Sequence, residues 1–143
     1  MKVRCISKNI AEILPAGIYD DLKVGGDPDQ LLITVGEEYT VYGISTIRKY
    51  PWYLICRDNF DGIYVAHPMY LFYRYFEIVD NRLSNYWIVN DGNDFYNKNE
   101  KIIQFGFKEW ISEEYFYSNL VEGEEREKKL FLHYKNKMDE EFR

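Results

Sequence analysis

Two histidines and two cysteines are the first places to look for chemistry in this chain of 143 residues. His67 and His133 lie far apart, and neither has a second ligand type beside it at metal spacing. Zinc needs convergent Cys and His donors, and no such pairing is present. His67 precedes Pro68 at the end of a strand-like run, and His133 stands between Leu132 and Tyr134 in a helical pattern. Cys5 and Cys56 each sit in an apolar run, Val3-Arg4-Cys5-Ile6 and Leu54-Ile55-Cys56. A free thiol packs there as a small hydrophobe. A nucleophilic cysteine needs a base and an exposed, activating setting, whereas Ile55 beside Cys56 points to burial.

The carboxylates say little more about catalysis. Asp58 and Asp61 are close enough in sequence to consider acid–base work. Both fall in Asp58-Asn59-Phe60-Asp61-Gly62, a turn by composition, where Asp usually bonds its own backbone. A calcium loop alternates acids about a Gly, and Asp91-Gly92-Asn93-Asp94 is too short for one. Gly25-Gly26 lacks the Lys and Ser/Thr that follow a phosphate-cradling loop. The expectation is a protein that is not an enzyme and holds no metal or cofactor.

Charge and composition point to binding. The net charge is −6, and aromatic residues make up 18% of the chain, with 14 tyrosines. An acidic domain repels phosphate backbones, so nucleic acid and anionic membrane surfaces are poor partners. A basic protein suits it better, because complementary charge speeds association. The tyrosines cannot all be fully buried in one small domain, and Tyr at a surface serves recognition. No signal-peptide pattern follows Met1-Lys2, no apolar run reaches bilayer length, and two isolated cysteines suit a reducing compartment. The expected location is the cytoplasm.

The elements that must position these residues are mostly strands. Residues 2–7 read as a strand, and Asn9 to Leu14 as a short helical turn stopped by Pro15 and Gly17. After a polar loop over 20–30 come aromatic and β-branched runs at Tyr39–Ile44, Tyr50–Cys56, Gly62–Ala66, Tyr75–Val79 and Tyr86–Val89. Asn90 to Lys101 reads as a second polar loop, and Phe105-Gly106-Phe107 as a final strand or edge segment. Ser112 fits an N-cap, because Glu113 and Glu114 follow it. From Glu124 the apolar residues Leu130, Phe131, Tyr134, Met138 and Phe142 recur at spacings of three and four, which predicts an amphipathic helix. The expected fold class is mainly β (α+β), in a single domain of residues 1–143.

Gly36-Glu37-Glu38-Tyr39-Thr40-Val41-Tyr42-Gly43, Tyr53-Leu54-Ile55-Cys56 and Phe76-Glu77-Ile78-Val79-Asp80, followed by Asn81-Arg82-Leu83-Ser84 and Tyr86-Trp87, are similar to segments of a family of small bacterial proteins with an SH3-like β-barrel. Phe107-Lys108-Glu109-Trp110, Tyr115-Phe116 and the helix to Phe142 resemble that family's tail. Leu71-Phe72-Tyr73-Arg74-Tyr75 departs from the pattern by adding residues between Pro68 and Phe76. The resemblance implies a small antiparallel barrel over about 31–107 with a C-terminal helical segment over about 112–143. Some members resemble immunity proteins of bacterial toxin systems.

On that basis the expected function is neutralisation of a cognate toxin by occlusion of its active site, the partner being a basic toxin domain. Asp58, Asp61, Asp91 and Asp94 are the acids expected to face the basic cleft, with Tyr64 and Tyr96 as aromatic anchors. The alternative is an SH3-like module that binds peptides or adaptors in a groove of Tyr42, Tyr50, Trp52 and Tyr53, although Trp52 also suits the barrel core.

Overall fold

Side chains alternate across a strand, so a strand buried on both faces reads as continuous apolar sequence. Tyr50–Ile55 (β4) is such a strand: Tyr53, Leu54 and Ile55 are all buried. Tyr53 and Ile55 join one hydrophobic cluster and Leu54 the other. The rest of the fold is arranged around those two faces.

The computed structural model describes residues 1–15, 18, 27–59, 68–93 and 99–143. The run at 62–66 lies outside them. The chain forms Lys2–Cys5 (β1), a helical turn Ile10–Ile13 (α1), Glu38–Thr40 (β2), Gly43–Ile47 (β3), β4, Met69–Phe72 (β5), Phe76–Asp80 (β6), Ile88–Asn93 (β7) and Lys101–Gly106 (β8). Three helices follow: Lys108–Ser112 (α2), Phe116–Glu122 (α3) and Glu125–Glu141 (α4). The fold is mixed α+β, with a three-stranded sheet ordered β2-β1-β6 and a five-stranded sheet ordered β5-β4-β3-β8-β7. Every pairing is antiparallel. No helix among the described residues is long and apolar enough to cross a membrane.

The two sheets share chain at two corners. At the first, the Val41 N–H donates to the Met1 carbonyl (3.0 Å) while the next amide, Tyr42, donates to Leu54 (2.8 Å). One aromatic run therefore splits into β2 and β3 and passes from one sheet to the other. At the second corner, a 3-10 turn over Tyr73–Tyr75 carries the chain from β5 to β6. Leu71 and Phe72 thus complete β5, and Tyr73-Arg74-Tyr75 form this turn. Between the sheets lies one core, which includes Val3, Tyr39, Val41, Tyr53, Ile55, Phe72 and Phe76. β1 is the central strand of the smaller sheet, so the β core begins at residue 2, ahead of the expected boundary at 31.

The other face of the five-stranded sheet is covered by helices. Phe107, Trp110, Ile111, Phe116, Leu120, Phe131 and Met138 form the second core with Tyr42 and Leu54. The apolar stripe predicted from Glu124 onward is the buried face of α4, carried by Phe131 and Met138 and continued by the buried C-cap residue Phe142. Its C-terminal end is tied to the β6–β7 connection, where Glu141 accepts from the Ser84 hydroxyl (2.6 Å) and the Asn85 amide (2.8 Å). Asp139 accepts from the Tyr42 hydroxyl at 2.7 Å. Ser112 is not a cap. It is the last residue of α2, because Trp110 and Ile111 already face the core, and α3 begins behind Tyr115. Gly123 closes α3 with φ of 87°, in the left-handed region glycine occupies without strain.

Two glycines let α2 approach the sheet. Gly43 and Gly106 face each other across β3 and β8. A methyl at Gly106 would meet Ile111 at 3.0 Å, and one at Gly43 would meet the Phe105 carbonyl oxygen at 2.9 Å. Backbone cannot swing aside as a side chain can. Gly43→Ala is therefore expected to destabilise the fold by about 1–3 kcal/mol, the usual cost of overpacking, read as a lower urea midpoint at unchanged slope.

Candidate functional site

Alternation along the five-stranded sheet places Ser45 and Ile47 of β3, Tyr70 of β5, and Ile102 and Gln104 of β8 on the helix-covered face. The helices do not cover that face completely. Between these side chains and the α2–α3 segment lies an open pocket of about 470 Å³, walled on the helical side by Trp110, Glu113, Glu114, Tyr115, Tyr117 and Ser118. Its size is within the range of small-ligand and side-chain receptors.

The floor is hydrogen-bonded and rigid. The Trp110 indole N–H donates to the Tyr70 hydroxyl at 2.9 Å, and the two rings meet edge to face with centroids 6.3 Å apart. Burial pushes the Tyr70 phenol up to about 12. It therefore stays protonated at neutral pH. Tyr117 packs edge to face on Trp110 at 5.6 Å. Trp110 itself is locked among Phe107, Phe116 and Phe131. At the mouth, Tyr115 is 66% exposed, the highest value among the large apolar side chains of the described residues.

The mouth is acidic, and one of its walls is held by an ion-pair network. Arg126 clamps Glu113 through both terminal nitrogens at 2.8 Å and reaches the buried Glu127 at 2.8 Å. The Asn119 amide also donates to Glu127, at 3.5 Å. The Arg126 guanidinium holds the Glu113 carboxyl below its ordinary range. Glu38, beside Arg4 and Lys2, is lowered in the same way, and Asp80, beside Arg82, is held at about 2. Each of these acids takes up its proton less readily folded than unfolded. Their stabilisation is complete above the ordinary carboxylate range and is lost as pH falls through the depressed values. Denaturant midpoints are thus expected to fall between about pH 5 and pH 2, and Glu113→Gln to flatten that slope.

Asp58, one of the acids expected to face a partner, does not line this pocket. Asp58 accepts from the Thr34 hydroxyl at 2.7 Å and from the Tyr39 hydroxyl at 2.5 Å. Burial and the Asp58 carboxylate both raise the Tyr39 phenol. Asp58 thus braces the 33–39 turn at the end of β4 away from the β3–β4 hairpin. Asp58→Ala strands the half-buried Tyr39 hydroxyl, so we expect a loss of about 1–3 kcal/mol in chemical denaturation, with partner affinity unchanged. Asp91 stands in β7 opposite Ile103, in a strand and not in a turn. Asp61, Tyr64, Asp94 and Tyr96 lie outside the described residues, as does His67.

The alternative groove residues are committed to packing. Tyr42 and Tyr53 are buried. Trp52 lies edge-on to Phe72 at 5.3 Å and donates its indole N–H to the Ile47 carbonyl, and Tyr50 also packs on Phe72. Burial raises both thiols, Cys5 and Cys56, away from the reactive thiolate. Among the described residues no three His, Cys, Asp or Glu side chains converge to hold a metal ion.

One signal for the pocket was present in the sequence. Tyr115, Phe116 and Tyr117 are consecutive, and on a helical stretch three successive side chains cannot all face the core. Phe116 is buried, which leaves Tyr115 and Tyr117 outward beside Glu113 and Glu114. The sheet side of the pocket carried no such signal, because it depends on which strands are neighbours. No protein-family model, curated protein or solved structure matches the chain.

Proposed function

We propose that this chain is a binding protein that occludes the active site of a basic toxin domain, as an immunity protein of a bacterial toxin system does. The observation that carries the binding part is the pocket mouth, where the exposed rings of Tyr115 and Tyr117 stand beside Glu113 and Glu114. Aromatic anchors bordered by charge are the usual anatomy of a protein interface. The net charge of −6 favours a basic partner over nucleic acid or an anionic membrane. The buried Cys5, the partly buried Cys56 and the structural engagement of Asp58 support action by binding rather than by catalysis. The toxin-system assignment, with action in the cytoplasm, rests on the resemblance of residues 31–143 to the small bacterial family.

We read the two sheets as an SH3-like barrel extended by β7, β8 and the helices. Support comes from the strand that passes between sheets at Val41–Tyr42 and from the 3-10 turn that leads into β6. Co-expression with the product of the adjacent gene tests the function. Rescue of growth together with tight, salt-weakened binding is expected. A harmless neighbour, or one that this chain neither binds nor neutralises, overturns the reading.

A further inference from the structure

We infer that the aromatic pocket is a receptor for one cationic side chain, an arginine or a lysine, presented by the basic partner. The inference rests on the binding function proposed above and adds where, and by what chemistry, the partner is held.

Three features favour a cation over a neutral apolar group. First, the walls are aromatic: Tyr70, Trp110, Tyr115 and Tyr117 all line the pocket. Aromatic faces attract a guanidinium or ammonium and also pack against its methylene stem. Second, the charge at the mouth is negative and incompletely matched. Glu113 and Glu127 share the single guanidinium of Arg126, and Glu114, exposed at the rim, makes no ion pair among the described residues. Third, no basic side chain among the described residues lines the pocket. The hairpin cations Arg48 and Lys49 follow Ile47 in the chain but are not among the lining residues.

The floor is polar but internally paired: Ser45 and Gln104 line it beside Tyr70, whose hydroxyl accepts from the Trp110 indole and from the Gln104 side chain. A volume of about 470 Å³ accommodates a long side chain and part of the residue beside it.

The test uses the full chain, N-acetyl-arginine amide, and its neutral isostere N-acetyl-citrulline amide. Binding is followed by the indole N–H resonance of Trp110, because that proton is hydrogen-bonded to Tyr70 on the floor. The arginine probe is expected to shift this resonance saturably and to bind at least about tenfold more tightly than citrulline, a gap of about 1.4 kcal/mol. Glu114→Gln is expected to narrow the gap by weakening only the arginine probe, and Tyr115→Ala to weaken both. Both positions are exposed. Equal affinity for the two probes, or an unmoved Trp110 signal, overturns the inference. So does a natural partner that binds the Glu114→Gln and Tyr115→Ala variants as tightly as the parent chain, although the binding function would then stand. Charge-selective probe binding without any basic protein partner leaves the pocket assignment supported and the toxin reading refuted.

Discussion

Replacing Phe107 with alanine is expected to remove about 3–5 kcal/mol of stability, the largest loss for any single truncation on the helical side of the sheet. Phe107 is 1% exposed and stands where β8 hands the chain to α2. Its ring stacks on Tyr134 of α4 at 4.4 Å and lies edge-on to Phe116 of α3 at 5.6 Å. It also meets Trp110 at 5.9 Å and Phe131 at 6.4 Å. One side chain therefore joins all three C-terminal helices to the sheet. The cavity left by its loss cannot close without moving several rings, and that sets the cost high in the usual range. Denaturant unfolding gives the magnitude. Hydrogen exchange gives the location: amides of α4 should lose protection before those of β1, which belongs to the other core. A loss below about 1 kcal/mol would mean that the helices dock through other contacts.

Tyr115→Ala should have the opposite profile. With its ring 66% exposed at the pocket mouth, Tyr115 contributes little to folding, and its removal should change stability by no more than about 0.5 kcal/mol. As an interface anchor it should cost about 2 kcal/mol of partner affinity, or roughly thirtyfold in Kd. Asp58→Ala provides the contrast, with stability lost and affinity kept. Measuring both quantities on both variants separates the aromatic mouth from the acidic turn at residue 58.

How far the sequence leads depends on which interactions are local. β4 and α4 were legible because burial writes its own period: continuous apolar residues for a strand covered on both faces, spacings of three and four for the helix. The short helical turn after Asn9 was legible too, and the Asn9 side chain caps it by accepting from the Ala11 amide. Asn90–Asn93 was not. Its polar residues favour loops, yet they pair with Lys101–Gln104 as an outer strand whose partner supplies the stability. Phe105-Gly106-Phe107 reads as a final strand or an edge segment; β8 is the last strand, and β3 and β7 flank it.

The site was less legible than the fold. Asp58 looked available because it sits in a polar turn, but its partners Thr34 and Tyr39 lie 24 and 19 residues away. The pocket is built in the same non-local way. Ser45, Tyr70 and Gln104 share a face only because β3 lies between β4 and β8, with β5 on the far side of β4. Alternation says that they have a face, and only strand order says that they have the same one. The helical wall was closer to readable, since three consecutive aromatics beside two glutamates cannot all turn inward.

The proposed function requires recognition of a basic protein through the Tyr115–Glu114 mouth. Calorimetric titration of the chain with the purified product of the adjacent gene, at low and at high salt, tests it most directly. The expected result is a one-to-one complex that weakens as salt rises and weakens about thirtyfold further in the Tyr115→Ala variant. Absence of binding, or a complex indifferent to both salt and Tyr115, would contradict it.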